Sequence, residues 1–208
     1  GNVSFYNESP NYTVFPTPVI GMLGLIESLE HITTMEFKSV GDLIVLLGKV
    51  SSDLSGSEYL KLFYGINGPD APFIDLDYEH RVQKASLSAI KSGLVNSAHD
   101  ISDGGLAICI AECCIASGLG ADIKIDEKMS LDKLIFGESQ SRIIVTVDKS
   151  TISKLNDIAL IHQIDLMILG KVIPDNFKIN SVINLQVQQM RVAYQESLRK
   201  IIEGETKY

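Results

Sequence analysis

The 208-residue chain carries 18 Lys and Arg against 26 Asp and Glu, a net charge of −8, with 45% apolar and 21% charged residues. That mix belongs to a globular chain able to bury its own core, and its acidity excludes a nucleic-acid platform, which needs a basic face to neutralise phosphates. It has no run of 18 apolar residues, so no membrane span is expected, and GNVSFYNESP at the start has neither the basic nor the apolar region of a signal peptide.

The chain begins on a glycine and reads as a piece of something longer. Its first stretch is polar and irregular, with Pro10, Pro16 and Pro18 forbidding helix. Val19 to Ile26 reads as an apolar strand, and Asp42 to Leu47 as a second one bounded by Gly41 and Gly48. Asp53 to Gly56 is a turn, after which Ser57 caps a short helix through Tyr64, stopped by Gly65. Asn67 to Asp70 is a loop. Asp77 opens a longer helix with Tyr78, Val82, Ala85, Ala89 and Ile90 on one face and Gly93 past its end.

Val95 to His99 is a strand, and Asp100 to Gly105 turns into a helix over Leu106 to Ser117. That helix is apolar nearly all round and should be buried on several sides. Ala121 to Ile125 is a strand, and Ser130 starts a short helix, Leu131 to Phe136. A loop at Gly137 to Gln140 leads to the strand Arg142 to Val147. Thr151 to Ile161 is helical, Leu166 to Val172 is a strand, and Asp175 to Val187 alternates as an edge hairpin does. Gln188 to Glu203 is a terminal amphipathic helix with Met190, Ala193, Tyr194, Leu198 and Ile201 inward. Strand and helix interleave from about residue 40 to 175, so the expected class is α/β (α+β), helices packed on a mixed sheet.

Cys109, Cys113 and Cys114 lie together on the apolar helix without a C-x-x-C pair. They read as inert core in a reducing, cytoplasmic compartment. The four histidines have no ligand spacing, so no zinc site is expected. Four segments can carry chemistry. In His99-Asp-Ile-Ser-Asp-Gly-Gly105, Asp103 is an N-cap, or Asp100 and Asp103 hold Mg²⁺ beside a phosphate. In Gly137-Glu-Ser-Gln-Ser-Arg142, hydroxyls, backbone N–H groups and Arg142 cradle a phosphate, or Glu138 and Arg142 form a surface pair on a solvated turn. Asp53 to Tyr59 is a capped helix start with Glu58 in its first turn. Gly1-Asn2-Val-Ser4 offers an amide oxygen for Mg²⁺ and a hydroxyl for a phosphate.

Taken in order, GNVSFYNES, PTPVIGMLGLIE, the glycine-bounded strand followed by GSEY, HDISDGGL and FGESQSR resemble the phosphoribosylformylglycinamidine synthase family (the PurL synthetase subunit). The resemblance runs from Gly1 to about Val172. The family sits in a wider group with aminoimidazole ribonucleotide synthetase and selenophosphate synthetase. A small-molecule kinase or selenophosphate synthetase is the alternative within that group, and a non-catalytic docking domain the alternative outside it. GNVSFYNE and GSEY favour the first.

The resemblance implies a PurM C-terminal-domain-like fold and a much longer protein built of two copies of a paired unit. Residues 1–39 would be the tail of the second N-type, ATP-binding domain, residues 40–174 the second C-type α/β domain, and residues 175–208 a hairpin and helix. The implied reaction is a carbon–nitrogen ligation of purine biosynthesis, using ATP and Mg²⁺. The formamide oxygen of formylglycinamide ribonucleotide is phosphorylated, then displaced by glutamine-derived ammonia. Gly1 would touch ATP, Asn2 would ligate Mg²⁺ and Ser4 would touch the ribonucleotide. No catalytic residue is assigned in this chain, and the piece alone should be inactive. Glu138, Ser139 and Gln140 would line a secondary, non-catalytic nucleotide site with Asp100, Asp103, Gly104 and Gly105. Implied partners are the rest of the synthetase chain and, in some bacteria, a glutaminase subunit and a small bridging subunit. Self-association is expected through Val19 to Ile26, because bare apolar edges pair readily.

Overall fold

The computed structural model of the chain describes residues 7–10, 12–14, 20–51, 53–66, 71–125 and 130–204. Two units divide it, Gly1–Glu30 and His31–Tyr208. In the first, β1 (Asn7–Ser9) and β2 (Tyr12–Val14) form a short antiparallel hairpin within the stretch expected to be irregular. The strand expected over Val19–Ile26 does not form. Val19 lies outside the described residues, residues 20–26 have no regular structure, and Ile20, Met22, Leu23, Leu25 and Ile26 are exposed. A strand exists only through a paired neighbour, and residues 20–26 pair with no strand among the described residues.

The second unit is built on seven strands: β3 (Leu43–Leu47), β4 (Ser97–Asp100), β5 (Gly120–Ile123), β6 (Ile143–Val147), β7 (Leu166–Ile173), β8 (Asn176–Ile179) and β9 (Ile183–Gln186). They lie in the order β4-β6-β3-β7-β5-β8-β9. Every neighbouring pair is antiparallel except β5 with β8, which is parallel. This is the mixed sheet the interleaved pattern implies. The expected edge hairpin is β8 with β9, extending the sheet beyond β5.

Period-two alternation sends successive side chains of each strand to opposite faces. From β3, Ile44 and Leu46 point to one face, and Val45 and Leu47 to the other. On the second face lie α2 (Leu76–Lys91) and α5 (Ile152–His162), through Tyr78, Val82, Ala85, Ala89, Leu155 and Ala159. The first face is covered by α3 (Gly105–Ser117), with α4 (Leu131–Phe136) and the start of α6 (Val187–Ile202). The sheet is buried on both sides, which is why DLIVLL and RIIVTV are continuous apolar runs. The all-apolar α3 is the central helix of that face. It buries Cys109, Cys113 and Cys114. The neighbouring Cys113 thiol and burial push the Cys109 thiol up, and burial does the same to Cys114, consistent with inert core sulfur. No helix among the described residues is long and apolar enough to cross a membrane.

Two helix ends differ from expectation. Asp75, rather than Asp77, caps α2, its Oδ1 accepting from the N–H groups of Asp77 and Tyr78 at 3.1 and 3.0 Å. Further along the chain, α6 buries Val187 and half-buries Met190 and Ile201, but Ala193, Tyr194 and Leu198 are exposed. The first half of the helix is tied to α3, where the Arg191 guanidinium donates to the Ile115 carbonyl at 2.7 Å and the Tyr194 hydroxyl to Glu112 Oε1 at 3.4 Å. Its amphipathic stripe outruns the surface that α3 and β9 offer.

Across the other face, Tyr78 locks α2 to the turn before β7. Its hydroxyl donates to Asp165 Oδ2 at 2.8 Å and accepts from the Asp165 N–H at 3.1 Å. Burial, with this carboxylate beside it, pushes the phenol up to about 12. The raised folded-state value means the neutral phenol is the stabilised form. Its contribution is whole below the ordinary tyrosine value of about 10 and is lost as pH climbs towards 12. Tyr78→Phe is expected to cost about 1–2 kcal/mol at neutral pH and to flatten that alkaline loss, as read by urea unfolding at pH 7 to 11.5. An unchanged alkaline slope would contradict it.

Candidate functional site

Three of the four chemistry-bearing segments converge on the loop 137–142, between α4 and β6. It lies against the start of α1 (Glu58–Tyr64) and the start of α3. Ser57 caps α1 as expected: its hydroxyl accepts from the Leu60 N–H at 3.4 Å and donates to the Leu54 carbonyl at 2.6 Å. Gly65 follows in the left-handed conformation, φ 65°. From α1, Tyr59 stacks on Phe136 of α4, with ring centroids 4.9 Å apart and planes within 9°.

Glu138 sits at the junction. Its Oε1 accepts the Glu58 N–H and the Gly104 N–H, both at 2.8 Å. One carboxylate therefore serves the free N–H ends of α1 and α3 together, where helix dipoles favour negative charge. Both sequence readings of this part are corrected. Asp103 is exposed and makes no capping bond; Gly104 occupies the cap position with φ 77°. Glu138 and Arg142 are not a surface pair. Arg142 is only 4% exposed and turns back into its own loop, donating through Nη2 to the Gly137 carbonyl at 2.6 Å and through Nε to the Ser139 carbonyl at 2.9 Å. Burial brings its guanidinium down to about 10, still protonated at neutral pH. Arg142 is a brace for the loop and is not presented to a phosphate.

Close backbone approach requires glycine at Gly48, Gly105 and Gly137 here. A Cβ on Gly105, φ 69°, would fall 2.6 Å from the Gly137 carbonyl oxygen and 2.8 Å from the Phe136 carbonyl carbon. One on Gly48, φ 113°, would fall 2.0 Å from the Ser141 carbonyl oxygen. Ser141 itself holds φ 62°, unusual for a residue with a side chain. Removing the Glu138 carboxylate leaves two N–H groups without an acceptor. Glu138→Ala is therefore expected to cost about 2–3 kcal/mol, and Glu138→Gln, which keeps an oxygen, about 1 kcal/mol. Urea unfolding checks this, and equal costs for the two variants would contradict it.

Asp100 and Asp103 do not join this junction. The Asp100 side chain is 76% exposed and lies 3.4 Å from His99 Nδ1, while His99 Nε2 is 3.0 Å from Glu112 Oε2. Among the described residues no group of three or more His, Cys, Asp or Glu side chains is placed to hold a metal ion. Gly1, Asn2 and Ser4 lie outside the described residues.

Ser139 and Gln140 follow Glu138 in the same loop. With Ser141 they border a cavity of about 390 Å³, whose other wall brings in Lys49, Ser51, Phe73, Asp75 and Tyr78. Sequence reasoning did not single out Lys49 or Ser51. The available signal was a lysine and serines directly after the glycine that ends β3, matching the hydroxyl-rich turn before β6.

Residues 39–180 match the family described as AIR synthase related protein, C-terminal domain. The chain is 45% identical over 179 residues to the phosphoribosylformylglycinamidine synthase subunit PurL of Symbiobacterium thermophilum, covering 84% of this chain and 23% of that protein. It is 37% identical over 208 residues to the subunit of the same name from Alkaliphilus metalliredigens, covering 98% of this chain and 28% of the other. It thus spans about a quarter of the length of these curated relatives. Among solved structures, T. maritima PurL complexed with FGAR superposes with a TM-score of 0.67 at 20% identity, over 78% of this chain and 30% of that one, a likeness of fold. With the family matched across the mixed sheet and its helices, from Ser39 before β3 to Asn180 after β8, the chain belongs to the AIR synthase related proteins, C-terminal domain family.

Proposed function

We propose that this chain is part of the ATP-dependent synthetase that converts formylglycinamide ribonucleotide to its amidine with glutamine-derived ammonia. The observation that carries the reading is the 45% identity to a PurL subunit over most of the chain, together with the five motifs in order. In this reading Gly1 contacts ATP, Asn2 ligates Mg²⁺ and Ser4 contacts the ribonucleotide. Residues 1–39 are the tail of an N-type domain, residues 40–174 a C-type domain, and the catalytic groups lie elsewhere in the longer protein. Its partners are the remaining synthetase chain and, where they are separate, glutaminase and bridging subunits. The α/β domain contributes a rigid frame, which the commitment of Glu138 and Arg142 to bracing supports. Ser139 and Gln140 mark a secondary nucleotide site beside that frame.

Transplanting the chain into the A. metalliredigens relative, in place of the matching stretch, tests the assignment. The chimera should retain ATP-dependent amidine formation, and Asn2→Ala or Ser4→Ala within it should lower the rate at least about 100-fold, the scale of losing a group that positions substrate. A dead chimera that folds, or variants with full rate, would refute it. Self-association of the isolated chain is also proposed, now on exposed apolar side chains at Ile20 to Ile26 rather than on a strand edge. Light scattering should show mass rising with concentration, and a strict monomer at high concentration would count against it.

A further inference from the structure

We infer that the groove between α3 and α6 is a dimerisation site whose occupant is the second half of α6 from a second copy of this chain, exchanged reciprocally. The inference does not depend on the proposed activity, and it uses a different surface from the self-association through Ile20 to Ile26.

Three observations carry it. First, the groove is open and apolar. It has a volume of about 430 Å³ and is walled by Ile108 and Ala111 of α3 and Met190 and Ala193 of α6, with Phe177 of β8 and Leu185 of β9. Ile108 and Leu185 are 41% and 44% exposed, and a contiguous apolar surface of this kind favours cover by another. Second, the same chain carries a bare apolar stripe on a helix. Tyr194, Leu198 and Ile202 recur every four residues along α6, which puts them on one face, and they are 62%, 68% and 75% exposed. Third, the charges match. Among the described residues of the wall, Glu112 alone is charged, while the last turns of α6 carry Arg199 and Lys200. Those two pair with Glu203 at 3.5 Å and Glu196 at 3.0 Å, surface pairs that contribute little and exchange readily.

The stripe cannot fill the groove of its own chain. Arg191 and Tyr194 tie the first half of α6 to Ile115 and Glu112 of α3, and Met190, Ala193 and Tyr194 are themselves part of the wall. Leu198 and Ile202 therefore lie about 6 and 12 Å beyond Tyr194 along the helix axis. A second copy removes that mismatch. An apolar groove accepts an amphipathic helix laid into it, and a two-fold exchange covers both stripes and both grooves at once, leaving a closed dimer. In that dimer Leu198 and Ile202 of each copy enter the other's groove, and Arg199 approaches the other's Glu112.

The test is complementation between two variants of the full 208-residue chain, read by light scattering, both carrying Leu23→Asp to remove the Ile20 to Ile26 contact. The Leu23→Asp chain itself should dimerise. Adding Leu198→Asp spoils the helix and leaves the groove, whereas adding Ile108→Lys spoils the groove and leaves the helix. Each addition should weaken the dimer at least about tenfold. An equimolar mixture of the two should recover it, because the intact groove of one variant receives the intact helix of the other. A monomeric Leu23→Asp chain, dimers that survive either addition, or a mixture no more dimeric than its components would overturn the inference. Disulfide trapping reads the pairing directly. A chain with Ile108→Cys and Ile202→Cys should run as a covalent dimer after mild oxidation, and a bridge formed within one chain would show the groove closing on its own helix and overturn the exchange.

Discussion

A Gly105→Ala chain is expected to lose about 3–5 kcal/mol, close to the whole stability of a marginal domain. Two costs add. The residue sits at φ 69°, where a side chain costs about 1–2 kcal/mol. The new methyl also meets three backbone atoms, the Gly137 oxygen at 2.6 Å, the Phe136 carbonyl carbon at 2.8 Å and the Ile135 oxygen at 2.9 Å. These end α4 and cannot rotate aside as a flexible side chain does, so α3 and α4 must separate at a cost of about 1–3 kcal/mol. Gly93→Ala separates the two terms. Gly93 has φ 66° with nothing within 4 Å, so it should show only the backbone cost, about 1–2 kcal/mol. Urea midpoints for the pair decide the matter, and equal losses would show that the close approach of α3 to residue 137 is not a constraint.

Arg142→Met should cost a comparable amount, about 3–5 kcal/mol. The substitution keeps an apolar stem of similar length but removes the donors to the Gly137 and Ser139 carbonyls. Both residues are buried, and each stranded carbonyl costs about 1–3 kcal/mol. Arg142→Lys should recover only part of this, because an ammonium cannot reproduce the planar fork that reaches both oxygens. Hydrogen exchange through residues 137–142 should accelerate in the methionine variant. A loss under about 1 kcal/mol, with unchanged exchange, would mean the loop is held by something other than this side chain.

These two residues mark the boundary between what the sequence reveals locally and what it does not. The strands at Asp42–Leu47 and Arg142–Val147, and the helix ended by Gly65, were legible because their signals are local: unbroken apolar runs, a serine cap and a left-handed glycine. The face of α2 was legible from its spacing, although its cap shifted to Asp75. Glu138 was not legible as a cap, because the N–H groups it serves are 80 and 34 residues away in sequence, and an aspartate at position 103 offered a nearer but idle substitute. Arg142 looked like a surface cation in a polar turn, and only the fold shows that it is buried. Residues 20–26 misled in the opposite direction. Their composition favours a strand, but composition supplies no partner, and in α6 the apolar stripe likewise continues past the surface that could receive it.

The proposed role of this chain, as part of an ATP-dependent amide-activating synthetase and inactive alone, is tested most directly by one assay. ATP-dependent conversion of formylglycinamide ribonucleotide to its amidine, with ammonia supplied, should be undetectable for the 208-residue chain and restored when the chain is placed within a full-length relative. Turnover by the 208-residue chain on its own would contradict the account.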